Sequence, residues 1–107
     1  MPVYLINSYD IHDFENFKNY PPKVAPLLAK YGARALSSDV NGIAFEGKTK
    51  TMNAIIEFPS EEAARNCYND PDYQEVKKIR INTTSDCSMI LVKEFKSPNA
   101  RSVLSQD

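Results

Sequence analysis

The sequence predicts an α+β fold, a four-stranded antiparallel sheet with its helices on one face. Three observations predict it. The run Ile55-Ile56-Glu57-Phe58-Pro59-Ser60-Glu61-Glu62-Ala63-Ala64 ends an apolar strand at a proline and opens a helix on a capping serine. Phe14, Phe17, Tyr20, Val24, Leu27, Leu28 and Tyr31 recur at spacings of three and four, the period of a helix face. Residues alternate along Thr51 to Phe58: Ala54, Ile56 and Phe58 form the more apolar set, and Asn53, Ile55 and Glu57 the mixed one. The first set is assigned to the helices and the second to an open side.

The first strand is read over Val3 to Tyr9, rich in β-branched and aromatic residues behind Pro2. Asp10 or Asp13 caps the helix that follows. Pro21, Pro22 and Pro26 each lack an N–H and crowd the preceding turn, so two helical pieces with a kink between them are expected. Gly32 suits the left-handed position that ends the second piece. Arg34 to Ser38 and Gly42 to Gly47 flank the turn formers Asp39 and Asn41-Gly42, which predicts an irregular or bent second strand. A polar turn over Lys48 to Lys50 leads into the third strand, Thr51 to Phe58. The Ser60-capped helix has Glu61 and Glu62 in its first turn, where the helix dipole favours negative charge, and runs to about Tyr68. Asn69-Asp70-Pro71 breaks it. Pro71 to about Arg80 is a further helical segment, and Cys87 to Phe95 the last strand. One domain over 1–95 is expected, with 96–107 as a flexible C-terminal tail. With right-handed crossovers, this order of elements gives the ferredoxin-like βαββαβ arrangement, one sheet face covered and the other bare.

Composition narrows the function classes. The 107 residues are 42% hydrophobic and 25% charged with a net charge of −1, which argues against a nucleic-acid footprint. The bare face could stack bases, as the RNA-recognition module does, but Asn53 and Ile55 stand where that module carries aromatics, and Tyr4 is a single ring. The longest apolar runs fall far short of a membrane span, and residues 1–9 lack a basic stretch followed by an apolar core. A cytoplasmic protein without nucleic-acid or membrane partners is the expectation. Cys67 and Cys87 lie apart with no CxxC, and His12 is the one imidazole, so no metal site and no cofactor are implied; two reduced thiols in or near the core are expected.

Several residues in order resemble one family. They are Tyr4-Leu5-Ile6, Phe17 and Tyr20, Pro26, Tyr31-Gly32, Arg34 and Leu36, then Glu46-Gly47, Glu57-Phe58-Pro59-Ser60, Ala63-Ala64, Tyr68, Pro71, Tyr73 and Arg80. Over roughly residues 3 to 94 the chain resembles a domain-of-unknown-function family in the dimeric α/β-barrel superfamily. The resemblance implies a homodimer whose two open sheet faces meet and enclose a small interior. Ala33, Asp39-Val40 and Cys67 depart from the family pattern, which has glycines at the first two places and an aromatic at the third.

Candidate chemistry is sparse. Glu57 is the candidate catalytic group, a general base projecting from the third strand into the space between two sheets; its alternative is an ion pair with Arg34 or Arg80. Tyr20, Tyr68 and Tyr73 offer rings for packing and hydroxyls that can reach a pocket rim, and Tyr4 and Asn53 face the open side. Arg80 can clamp a ligand carboxylate or pair with Glu57, Asp72 or Glu75. His12 beside a helix start reads as a solvated neighbour of the cap. Two functions stay open: a homodimeric protein binding a small organic ligand, acidic or aromatic, between sheet and helices, or a cofactor-independent oxygenase or isomerase with Glu57 as base, as in some relatives within the superfamily.

Overall fold

The computed structural model describes residues 1–96; the tail expected over 96–107 lies outside the described residues from position 97 onward. The elements are β1 (Val3–Ile11), α1 (Phe14–Phe17), α2 (Tyr20–Lys30), β2 (Arg34–Asp39), β3 (Met52–Phe58), α3 (Glu61–Asn69), α4 (Pro71–Thr83) and β4 (Thr84–Lys93). Every strand pairing is antiparallel and the sheet order is β2-β3-β1-β4, so the fold is ferredoxin-like.

Local signals set the boundaries. Asp13 caps α1 by accepting from the Asn16 N–H, and α2 starts with Pro21 and Pro22 in its first turn, where their missing N–H groups cost nothing. At the end of α2, Gly32 takes φ +71° while the Gly32 N–H donates to the Ala29 carbonyl and the Ala33 N–H to the Leu28 carbonyl. That six-to-one and five-to-two pair is the Schellman closure. Ser60 caps α3 through its side-chain oxygen and the Ala63 N–H. β2 is irregular as expected, with a bulge between Ala35 and Ser37, but Gly42 to Gly47 adds no strand.

The junction between α4 and β4 departs from the expectation. The helix continues past Arg80 to Thr83, and the strand starts at once at Thr84, three residues before Cys87. The Thr83 hydroxyl donates to the Ile79 carbonyl at 2.7 Å and the Thr84 hydroxyl to the Arg80 carbonyl at 2.6 Å. These side chains satisfy the last helix carbonyls, so no loop is needed. Cys87 on β4 is exposed, against the expectation that both thiols sit in or near the core; Cys67 is buried, and both are free.

The faces divide as the alternation predicts. Met52, Ala54, Ile56 and Phe58 on β3 and Val3, Asn7, Tyr9 and Ile11 on β1 are buried beneath the helices. Cross-strand register carries Tyr4, Ile6 and Ser8 beside Glu57, Ile55 and Asn53 on one flank and beside Val92, Ile90 and Ser88 on the other, all on the open face. Under the helices the core forms two clusters. One gathers Tyr9, Phe17, Tyr20, Leu27, Met52 and Tyr73; the other gathers Val3, Ile56, Phe58, Ala64 and Cys67. No large side chain among the described residues is fully enclosed, and a hollow lies between the two clusters.

Candidate ligand-binding site

That hollow is a cavity of about 310 Å³ between the helix-covered face of the sheet and α2, α3 and α4. Residues of both clusters wall it, from Tyr9 and Met52 at one side to Phe58 and Cys67 at the other. Pro21 and Tyr68 stand on the α2 and α3 sides, and β2, whose six residues are all exposed, adds Ala35 and Ser38. The size sits at the lower end of small-molecule pockets, and the lining is mostly apolar with few polar groups, which is their usual make-up.

The polar groups have a definite arrangement. The Tyr20 and Tyr73 hydroxyls lie 2.8 Å apart and share a hydrogen bond in the buried interior. Tyr73 stacks obliquely on Tyr68, ring centres 5.6 Å apart, and the Lys77 ammonium sits 5.0 Å from the centre of the half-exposed Tyr68 ring. Burial pushes the Tyr9 hydroxyl up to about 12, with Arg80 pulling modestly the other way. Burial, and then the nearby Tyr73, raises Tyr20 well above the ordinary phenol range. Both phenols are therefore neutral at pH 7, suited to donating hydrogen bonds rather than to abstracting protons.

Arg80 lies behind the tyrosines, only 5% exposed. Its Nη1 donates to the Cys87 Sγ at 2.9 Å, and its Nε has no partner among the described residues. A guanidinium keeps its proton at pH 7 even when buried, so Arg80 carries a positive charge beside these neutral phenols. The pairing with Glu57, Asp72 or Glu75 does not form: among the described residues no carboxylate lies within ion-pair distance of Arg80.

The sequence-derived candidates separate into two places. Tyr20, Tyr68 and Tyr73 line the cavity, with Arg80 backing them. Glu57, Tyr4 and Asn53 project from the opposite side of the sheet. There the Glu57 carboxylate accepts from the Arg34 Nε at 2.9 Å, the ion pair weighed as its alternative role. Asn53 accepts from Ser8 and donates to Thr49 and to the Lys50 carbonyl. His12 is exposed at the end of β1, its backbone N–H bonded to the Thr83 carbonyl.

Two cavity residues escaped the sequence reading. Asn7 and Tyr9 both line the hollow, and the Asn7 Oδ1 is buried with no hydrogen-bond partner among the described residues. The signal was present: along Val3, Leu5, Asn7, Tyr9 and Ile11 the period of two puts one amide in an otherwise apolar row. A buried polar residue is more informative than an exposed apolar one.

The chain superposes on several solved structures. A protein of unknown function from Rhodopseudomonas palustris matches with a TM-score of 0.77 at 20% identity, over 90% of this chain and 84% of that one. SnoaB, a cofactor-independent oxygenase from Streptomyces nogalater, matches with a TM-score of 0.68 at 13% identity over 91% and 96%. A dimeric protein of unknown function and ferredoxin-like fold from Bacteroides fragilis matches with a TM-score of 0.60 at 17% identity over 88% and 96%. At such identities the likeness speaks for the fold alone. No curated protein gives a significant match. The model of the family described as a domain of unknown function (DUF1330) matches residues 2–95, nearly the whole described chain, and the protein belongs to that family.

Proposed function

We propose that the protein is a homodimeric small-molecule-binding protein whose cavity takes a compact organic ligand, aromatic or acidic, between sheet and helices. The observation that carries this reading is the hollow core. A domain of this size usually closes its interior to crystal-like density, and voids larger than a water molecule cost stability. A cleft of about 310 Å³ between two apolar clusters leaves apolar surface uncovered, a poor device for stability and a good one for binding.

The homodimer draws on the other face. Ile6, Ile90 and Val92 stand exposed on the open side of the sheet, and in the β2–β3 connection Ile43 and Phe45 are 85% and 96% exposed. A second copy laid on the first would cover this apolar stripe. Fold relatives from Bacteroides fragilis and Thermobifida fusca are described as dimeric. The oxygenase or isomerase alternative gains a fold relative in SnoaB, but its proposed base, Glu57, lies across the sheet from the cavity and is already held by Arg34. Binding is therefore the reading with geometry behind it.

The test is thermal melting with naphthalene and 2-naphthoate, for the wild type and for Ala54→Phe, which fills the hollow from its floor. A ligand at about 100 times its Kd raises the wild-type Tm by several degrees. The filled variant, melting cooperatively, shows no such shift. Equal shifts in both proteins, or none in the wild type, overturn the reading.

A further inference from the structure

Three buried polar side chains of complementary kind, Asn7, Tyr20 and Tyr73, line the cavity, and Arg80 is buried two turns on from Tyr73 along α4. The Tyr20 and Tyr73 hydroxyls hold two protons but share one hydrogen bond, so one proton lies between the oxygens and the other is free for a third acceptor. The Asn7 Oδ1 has the opposite need, an acceptor with no protein donor among the described residues. Its planar amide turns about Cβ–Cγ without changing shape, so either end can be presented to the cavity. Arg80 adds a buried positive charge with an unpartnered Nε and no carboxylate within ion-pair distance among the described residues. A buried group without a protein partner costs stability unless something else in its surroundings bonds it, and a ligand is one such partner.

We propose that the cavity selects a hydroxylated aromatic acid. Its aryl body fills the apolar part, a hydroxyl donates to the Asn7 Oδ1, and an anionic oxygen accepts the free tyrosine proton in the field of Arg80. Asn7 and the tyrosine pair touch the ligand, while Arg80 acts through the tyrosines as a positioning residue. This inference rests on the cavity being a ligand site. A neutral hydrocarbon of the same shape partners neither the free tyrosine proton nor the Asn7 Oδ1, and a plain aryl acid partners only the tyrosine proton. Sites with buried polar groups discriminate strongly against ligands that leave those groups unpaired.

The probes are naphthalene, 2-naphthoate and the 1-, 3- and 6-hydroxy isomers of 2-naphthoate, titrated calorimetrically into wild type, Asn7→Leu and Arg80→Met. The wild type binds 2-naphthoate roughly ten-fold tighter than naphthalene, and at least one hydroxy isomer roughly ten-fold tighter again. Asn7→Leu loses the hydroxyl step and keeps the carboxylate step, whereas Arg80→Met loses the carboxylate step and keeps the hydroxyl step. Without ligand, Asn7→Leu also melts higher than the wild type by a few degrees, roughly, because an unsatisfied acceptor is gone. An asparagine kept only for structure would melt lower when replaced. If naphthalene binds but the wild type ignores the carboxylate, or Asn7→Leu keeps the hydroxyl preference, the selectivity is overturned while the cavity reading stands. If no probe binds, both fall together.

Discussion

At the scale of single residues, Asp70 does the most fastening. Its carboxylate accepts from the Tyr31 hydroxyl at 2.6 Å, the Lys30 ammonium at 2.9 Å and the Asp72 N–H at 2.8 Å, tying the end of α2 to the corner between α3 and α4. The Tyr31 and Lys30 hydrogen bonds, with the Asp72 amide, hold its pKa down to about 2. The unfolded chain, with an ordinary aspartate near 3.9, takes up this proton first, so the contribution is complete above about pH 4 and fades as pH falls toward 2. Asp70→Asn is expected to lower Tm at pH 7 by roughly 5 °C or more and to flatten the fall of Tm between pH 5 and 2, read by calorimetry. Asp70 was legible from sequence only as a helix breaker. Of the three partners expected for Arg80, Glu57, Asp72 or Glu75, the last fails for a simple reason: it lies five residues from Arg80 on one helix and points to a different side. Glu57 finds Arg34 because register sets them side by side on neighbouring strands.

Among the elements, α2 shows how a short sequence signal fixes a long-range contact. Gly32 closes the helix with φ +71°, and a Cβ there would meet the Pro59 Cγ at 3.4 Å. Gly32→Ala is therefore expected to destabilise the fold by about 1–2 kcal/mol, seen as a lower urea midpoint with an unchanged slope. Caps, prolines and this glycine made the helices legible, and alternation made β1 and β3 legible, because each signal is local. The α4–β4 junction was not. Thr83-Thr84-Ser85-Asp86 has the composition of a loop, and only the fit of two hydroxyls onto helix carbonyls converts it into continuous structure. The cavity was half legible: Tyr20, Tyr68 and Tyr73 were marked as pocket-facing candidates, but the pairing of two hydroxyls 53 positions apart is a property of packing that no periodicity reports.

For the whole molecule, the sheet separates the two proposed activities, binding on its covered side and self-association on its bare side. Ile90→Arg, at an exposed position on the open face, is expected to leave the circular dichroism spectrum unchanged while converting dimers to single chains in sedimentation. A wild type that sediments as a single chain at micromolar concentration removes the dimer. The interior hollow also fixes how the protein meets compression. Unfolding floods whatever part of the apolar hollow is dry and shrinks the system, so hydrostatic pressure favours the unfolded chain in proportion to the dry volume lost. This domain should denature at lower pressure than solid-cored domains of its length, and an occupant of the hollow should give it back its resistance to squeezing.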